Sequence, residues 1–226
     1  KKVSQAFVKI MQAAGVKIAI LGAEEMTSGD AVRRLGNEYL YQMIAQQNIE
    51  TMNGYGVKKI VTNCPHVFNA LKNEYPDLGG DYEVVHGTQL VSDVVRAGRV
   101  KLTEPVEETV AYHDPCYLGR TNGEYSAPRF LLNAIPALTM KEAELSRERS
   151  MCCGAGGGRM WLEEDQGTRI NQLRFSQLKE SGAEDVAVAC PYCFSMLSDA
   201  QNETGHEEAQ TWDVIELVAR SIGVGV

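Results

Sequence analysis

The chain has 226 residues and is 44% hydrophobic, a composition ordinary for a soluble globular protein with a real core. Its formal net charge of −8 argues against nucleic acid as a partner, because such binding needs a concentrated basic face. No apolar run approaches the roughly 18 residues of a membrane helix, and no signal-peptide pattern is present. We therefore expect a cytoplasmic protein with reduced thiols and no direct membrane span.

Helical and strand-like patterns alternate along the first half of the chain. The predicted helices cover residues 3–14, 31–52, 67–75 and 89–97. The predicted strands cover residues 17–21, 60–63 and 82–85. Asp30 stands where it can cap the long second helix.

The second half continues the alternation. Its predicted strands cover residues 108–112 and 186–189. Its predicted helices cover residues 127–133, 159–181, 194–201 and 214–222. Strands that alternate with helices indicate an α/β fold with mainly parallel sheets covered by helices.

The two halves of the chain are related to each other. Residues 57–98 can be laid over residues 183–223 with similar patterns in both. Two copies are too few for a solenoid, so the repeat predicts a duplicated module. We expect two related small domains, a first module over 1–100 and a complete one over 101–226, with a boundary near 98–105.

The first copy is predicted to be degenerate and N-terminally incomplete. Cys64 matches Cys190 at an offset of 126 residues, and at that offset the counterpart of Cys116 would lie about ten residues before Lys1. The remaining cysteines of the second copy are matched by residues without thiols, namely Thr27, Ser28 and Val67. We interpret Cys64 as a structural cysteine, since a free thiol packs like a small hydrophobe.

Five of the six cysteines form one spaced constellation. They are Cys116, Cys152, Cys153, Cys190 and Cys193. Five soft thiolates are too many for one tetrahedral zinc ion and an odd number for disulfides. They suit a multi-iron cluster, which can use more than four sulfur ligands.

The predicted elements place these thiols at one kind of position. Cys116 and Cys190 follow predicted strands, where the sheets of α/β proteins bind ligands. Pro191 then starts a helix, whose partial positive charge favours a thiolate. Gly154 and Gly156 follow the vicinal cysteine pair and permit close approach of backbone N–H groups to a cluster.

Two further side chains are candidates for contact with a bound cofactor. His113 lies three residues before Cys116 and can hydrogen-bond a cluster sulfur or serve as a structural histidine. Arg120 can offset the charge of a thiolate cluster or make a surface ion pair. Two other interpretations of the thiols stay open, a zinc or structural metal site using four of them and a metal-free thiol–disulfide enzyme using Cys190 and Cys193.

These motifs resemble the cysteine-rich CCG domain of heterodisulfide reductases and their relatives. The relatives include iron–sulfur subunits of glycolate, lactate and anaerobic glycerol-3-phosphate oxidoreductases, and membrane-bound oxidoreductases linked to electron-transfer flavoprotein. The family pattern of one cysteine, Cys-Cys-Gly and Cys-x-x-Cys is carried here by Cys116, Cys152-Cys153-Gly154 and Cys190-Pro-Tyr-Cys193. The first copy departs from this pattern, because Val67 stands where a second cysteine is usual.

The resemblance implies one [4Fe–4S]-type cluster, non-cubane in the best-understood relative, held by all five cysteines. It implies an oxidoreductase subunit that passes electrons between a flavoprotein, or an organic substrate such as a disulfide, and another carrier such as the quinone pool. Partners of ferredoxin, flavoprotein or membrane quinone-reactive type are then expected, and activity only together with them. Such a partner, or a segment outside this chain, would hold the chain at the cytoplasmic face of the membrane.

Overall fold

The computed structural model describes residues 2–162 and 167–224, and its first half contains a two-stranded parallel sheet. The helices of this half are α1 (Lys2–Ala13), α2 (Asp30–Arg34), α3 (Glu38–Gly54), α4 (Pro65–Asn69) and α5 (Gly87–Arg96). The strands are β1 (Lys59–Thr62) and β2 (Glu83–His86). A π-helical turn covers Ala70–Glu74, and 3-10 turns cover Gly22–Glu24 and Tyr75–Leu78.

The second half contains a four-stranded parallel sheet in the order β4-β3-β5-β6. The strands are β3 (Thr109–Tyr112), β4 (Thr139–Lys141), β5 (Asp185–Val188) and β6 (Thr211–Asp213). The helices are α6 (Ser126–Ala134), α7 (Ile170–Lys179), α8 (Pro191–Glu203) and α9 (Val214–Ser221). Short 3-10 turns cover Arg147–Arg149 and Gly156–Trp161. The predicted α/β class with parallel sheets covered by helices is confirmed.

The structure also confirms the duplication. Strand β1 and helix α4 repeat in β5 and α8 at the 126-residue offset seen in the sequence. The next helix begins in the same way in both copies, with a side chain that caps it and a partner three residues later. These capping pairs are His86 with Gln89 and Asp213 with Glu216.

The largest apolar cluster lies between the two halves. Buried side chains of α1 and α5 pack there against those of α6 and α9, for example Ile10, Val91, Leu131 and Val218. Helices α1 and α9 contact each other, as do α5 and α6. The division near residues 98–105 stays a prediction, and the shared core shows that the halves are packed together.

The strand predicted over 17–21 is wrong. These residues form no strand, and Ile20 is 77% exposed. A strand needs a neighbour to pair with its backbone groups. The 126-residue offset puts the counterpart of β3, the central partner in the second sheet, before Lys1. Within the described residues the 17–21 segment therefore has no adjacent strand.

The long helix predicted over 31–52 is two helices. Gly36, with a φ of 90°, interrupts it, and Asn37 then accepts a hydrogen bond from the Leu40 N–H to cap α3. The helix predicted over 67–75 also stops early, at Asn69. The chain continues as a π-helical turn and a 3-10 turn that contains Pro76, which has no N–H to continue the helix.

The helix predicted over 159–181 is also wrong in its first half. Residues up to Trp161 form a 3-10 turn, Gly167 has a φ of 72°, and α7 begins only at Ile170. Positive φ at a glycine ends helical geometry. Residues 163–166 of that prediction lie outside the described residues.

Strands β4 and β6, with three residues each, were too short to be predicted. No helix among the described residues has the length and apolar character to cross a bilayer.

Helix α7 offers a matched pair for testing the packing. Leu178 is fully buried and Leu173 is 43% exposed on the same helix. We expect Leu178→Ala to lower the free energy of unfolding by about 2–5 kcal/mol, because it leaves a cavity in the core. Leu173→Ala, the control, should change it by no more than about 0.5 kcal/mol. Denaturant unfolding followed by circular dichroism measures both, and equal effects would contradict the described packing.

Candidate metal centre

The site lies at the carboxyl edge of the second sheet, where β3 and β5 end side by side. The two strands are parallel, with Tyr112 opposite Ala187. The chain leaves β3 toward Cys116 and leaves β5 directly into Cys190. Cys190 is the residue before α8, and Pro191 occupies the first turn. Parallel pairing therefore brings two segments that are distant in sequence to one edge.

The structure brings all five predicted thiols together. Their side chains form a continuous series of contacts in the order Cys116, Cys152, Cys153, Cys193 and Cys190. The last three are between 1% and 3% exposed, while the first two are partly exposed. Five adjoining sulfur donors form a group suited to a soft metal centre. Their role as ligands remains a prediction.

Negative charge is concentrated within this group. Hydrogen bonds from the Cys116 and Cys153 thiols lower the pKa of Cys152, and backbone N–H groups add to the effect. The same hydrogen bond, together with burial, raises the pKa of Cys116. Burial disfavours ionisation of Cys190, but a hydrogen bond from Cys193 and the nearby His66 lower its pKa overall. Hydrogen bonding and burial raise the pKa of Cys153 and Cys193, so a metal centre that binds there would displace their protons.

The predicted glycines lie against the vicinal cysteines. The N–H of Gly154 donates to the Cys152 sulfur at 3.3 Å, and the Gly156 N–H also contacts this sulfur. Gly154 has a φ of 92°, and a Cβ there would come within 3.3 Å of Ile170 and Met196. Only glycine allows this backbone to turn its N–H groups toward the sulfur without strain.

His113 lies beneath the thiols and is fully buried. A ring nitrogen lies within 4.8 Å of the sulfurs of Cys153 and Cys193. Nδ1 receives a hydrogen bond from Arg174 Nε at 3.1 Å, and Nε2 has no partner among the described residues. Burial, with the charge of Arg174, lowers the pKa of His113 to about 3, so the ring is neutral.

Asp114 anchors the segment that carries Cys116. Its carboxylate receives two hydrogen bonds from Arg129, at 2.7 and 2.8 Å, and a third from the Arg147 N–H. The Asp114 carbonyl accepts a hydrogen bond from Ser150, two residues before Cys152. This ion pair is almost fully buried and bidentate, which is the strong form of the interaction. It fixes the loop of Cys116 relative to the loop of the vicinal pair.

Arg120 lies on the same side of the site but does not contact the thiols directly. Its guanidinium donates to the carbonyl groups of Glu148 and Ser150. It therefore braces the segment that leads into Cys152. A direct contact between Arg120 and a cofactor stays a prediction.

Side chains from the first half cover the thiols. The His66 ring stacks on Tyr117 with centroids 4.4 Å apart and meets Tyr192 edge-on at 4.7 Å. Its Nδ1 is 2.8 Å from a carboxylate oxygen of Asp30. Burial disfavours the charged ring, but the Asp30 hydrogen bond raises the pKa of His66 overall. His66 and Tyr192 are counterparts at the 126-residue offset, so the two copies face each other at these turns.

The corresponding place in the first half is a cavity without the thiols of the second copy. It has a volume of about 430 Å³ and lies beside β1 and α4. Its walls include Thr27, Ser28 and Val67, the counterparts of cysteines in the second copy. Cys64 lies nearby, where burial followed by the proximity of Cys190 raises its pKa to about 12. At Thr27, Ser28 and Val67, hydroxyl and apolar groups thus take the place of thiolates, the usual ligands of iron–sulfur clusters.

Several residues of the site were not predicted, among them Arg174 and His66. Arg174 carries no motif and reaches His113 across 61 residues of sequence. His66 lies two residues after Cys64, and the 126-residue offset that pairs it with Tyr192 was the one signal that could have found it.

The anchoring role of Asp114 can be tested by mutation. We expect Asp114→Asn to lower the free energy of unfolding by about 1.5–3 kcal/mol, because Arg129 keeps Glu142 but loses its buried charge partner. The control is Glu83→Gln, which disrupts the exposed pair with Lys59 and should cost no more than about 1 kcal/mol. Thermal and denaturant unfolding measure the difference. Asp114→Asn protein as stable as the control would contradict the anchoring role.

The sequence comparisons agree with this geometry. The CCG cysteine-rich domain family matches residues 1–72 and 110–198. A probable iron-sulfur-binding oxidoreductase, FadF, of Bacillus subtilis is 46% identical over 98% of this chain, which covers 32% of that protein. An EtfAB:quinone oxidoreductase of Syntrophomonas wolfei is 44% identical, with the same two shares.

A third relative is a subunit of the dihydromethanophenazine:CoB–CoM heterodisulfide reductase of Methanosarcina barkeri. It is 35% identical over 96% of this chain, which covers 54% of that protein. The chain thus spans between about a third and about a half of the length of these relatives. The family match extends over most of the described site and over both copies of the module. The chain therefore belongs to the cysteine-rich CCG domain family.

Proposed function

We propose that this chain is the electron-transferring part of an iron–sulfur oxidoreductase and holds one [4Fe–4S]-type cluster. The ligands would be Cys116, Cys152, Cys153, Cys190 and Cys193. The observation that carries the proposal is the unbroken series of contacts among these five cysteines, three of which are buried. An iron–sulfur cluster bound there would supply one-electron acceptance and release.

The residues present fit such a group. The donor set is all sulfur, which favours iron–sulfur clusters over harder ions. The N–H groups of Gly154 and Gly156 face the Cys152 sulfur and offset its negative charge. His113 Nε2 is buried without a partner among the described residues, beside two of the thiols. A buried N–H normally has an acceptor, and a sulfur of a bound cluster would provide one.

The chain's own side chains would protect the cluster and limit access to one side. The rings of His66 and Tyr192 lie beside the Cys190 end of the thiol series, where Cys190 is only 1% exposed. Cys116 and Cys152 form the more accessible end. An electron partner would therefore approach this end, because there it can come nearest to the cluster.

The names of the relatives indicate which partners to test. One relative is named for EtfAB and a quinone, and another for a heterodisulfide. We propose that the chain passes electrons between a flavoprotein, or an organic substrate such as a disulfide, and a further carrier such as the quinone pool. Ferredoxin-type or membrane quinone-reactive parts of a longer protein or complex would supply the other redox steps.

Metal content after anaerobic preparation tests the proposed cluster directly. We expect about four irons and a similar amount of acid-labile sulfide per chain, with broad charge-transfer absorption in the visible range. Zinc in stoichiometric amount without iron would contradict the proposal and support the structural metal site. Metal-free protein with an oxidised Cys190–Cys193 pair would contradict it in favour of thiol–disulfide chemistry.

Serine substitutions locate the site, because a hydroxyl is a poor substitute for a thiolate ligand. We expect Cys153→Ser to lose most of the iron of the wild-type protein. Cys64→Ser is the matched control, a partly buried thiol outside the series, and should keep its iron. Iron and sulfide analysis of the two variants, with circular dichroism to confirm folding, measures the effect. Loss of iron in Cys64→Ser but not in Cys153→Ser would place the site in the first copy.

A further inference from the structure

We propose that Arg174 and His113 act together as a positioning pair that raises the reduction potential of the bound cluster. Arg174 orients the ring of His113, so that its Nε2–H donates a hydrogen bond to sulfur at the Cys153–Cys193 edge. Arg174 also supplies a buried positive charge close to that edge. This inference rests on the proposed function and assigns a role within the same site.

The first observation is the burial of Arg174 without an ion-pair partner among the described residues. Arg174 lies on α7, is fully buried, and is among the largest side chains with no exposed surface. Its hydrogen bonds go to neutral groups, namely His113 Nδ1, the Leu145 carbonyl, Gln177 Oε1 and Ser150 Oγ. Buried charges are ordinarily paired or bound to an ion. Arg129 shows the ordinary arrangement, with Asp114 and Glu142 against its guanidinium.

The second observation concerns the negative groups that lie near Arg174. Burial lowers the pKa of Arg174 to about 10, and the charges of Asp114, Cys193 and Cys153 oppose that effect. Asp114 is already bound in a bidentate pair to Arg129. Of these three groups, this leaves Cys193 and Cys153, proposed ligands that lie beside His113, to face the charge of the guanidinium.

The third observation concerns the proton on His113. The Nε atom of an arginine is a donor only, so Nδ1 of His113 must accept the hydrogen bond. A neutral imidazole then carries its proton on Nε2. Nε2 has no partner among the described residues, and a nitrogen of the ring lies within 4.8 Å of the sulfurs of Cys153 and Cys193. The histidine thus presents an N–H, rather than a lone pair, to the thiols.

The Nε2–H of His113 and the charge of Arg174 both favour the reduced state of the cluster. Reduction adds one electron to the cluster, taken from a reduced flavin or ferredoxin partner, and makes the centre more negative. A hydrogen bond to sulfur and a nearby fixed positive charge both stabilise the more negative state. The pair itself transfers no proton, because Nε2 keeps its hydrogen and the guanidinium keeps its charge. Its effect is therefore a higher reduction potential with an unchanged electron count.

The test is a redox titration of anaerobically prepared protein, followed by electron paramagnetic resonance. We expect Arg174→Gln to make reduction about tenfold less favourable, which is a fall of about 59 mV for a one-electron couple. His113→Phe should lower the potential in the same direction, and the double variant should fall by less than the sum of the two. Iron content and circular dichroism establish that each variant is folded and loaded.

Arg169→Gln is the control for charge alone. Arg169 immediately precedes α7, and its side chain is 35% exposed and paired with Glu203. Removing this charge should leave the potential unchanged, because solvent screens it. Unchanged potentials in loaded Arg174→Gln and His113→Phe would overturn the inference while leaving the proposed function intact. Equal shifts in Arg169→Gln would also overturn it, since any positive charge would then suffice.

A measurement on the wild-type chain decides the question if the Arg174 variants do not fold. Protein labelled with 15N-histidine is reduced and studied by electron–nuclear double resonance. We expect an exchangeable proton and a weakly coupled histidine nitrogen, as for an N–H donor to sulfur, both retained in His66→Phe and lost in His113→Phe. No histidine coupling, or the strong coupling of a directly bound nitrogen, would overturn the inference. A wild-type chain that binds no iron would overturn the proposed function and this inference together.

Discussion

The parallel pairing of β3 with β5 is the constraint on which the site depends. Because both strands end at the same edge, the segment carrying Cys116 and the turn carrying Cys190 meet there, although 73 residues separate them. Helix α8 begins at that edge and places Cys193 one turn further on. The vicinal pair then reaches the same point on a glycine-rich loop. A change in strand register would separate these thiols, whatever their spacing in sequence.

The two copies of the module contribute different things to one site. The second copy supplies the sulfurs, and the first supplies the His66 ring that lies over them, held by Asp30. The matching place in the first copy is a cavity in which Thr27, Ser28 and Val67 stand where the second copy has cysteines. Two buried polar interactions lie around the thiols. The Asp114–Arg129 ion pair holds the loops, and Arg174 contacts His113, which lies beside the sulfurs. Duplication thus allows one copy to carry the thiols and the other to cover them.

Sequence patterns predicted strands β1, β2, β3 and β5 and the thiol constellation, because each depends on local residue types. They predicted a strand over 17–21, which does not form because the described residues offer it no adjacent strand. They predicted one helix over 31–52, which the positive φ of Gly36 divides into two. The duplication was visible from a constant offset. The contact of Arg174 with His113 was not, because nothing in the local pattern of α7 indicates a partner 61 residues away.

X-ray absorption at the iron edge of the anaerobically loaded chain tests the central claim most directly. The account predicts iron surrounded by sulfur, with further iron atoms as near neighbours, in the wild type and in Cys64→Ser alike. A nitrogen- and oxygen-rich shell without iron neighbours would contradict it. So would iron that binds equally well after Cys153 is replaced by serine, because that buried thiol lies at the middle of the series.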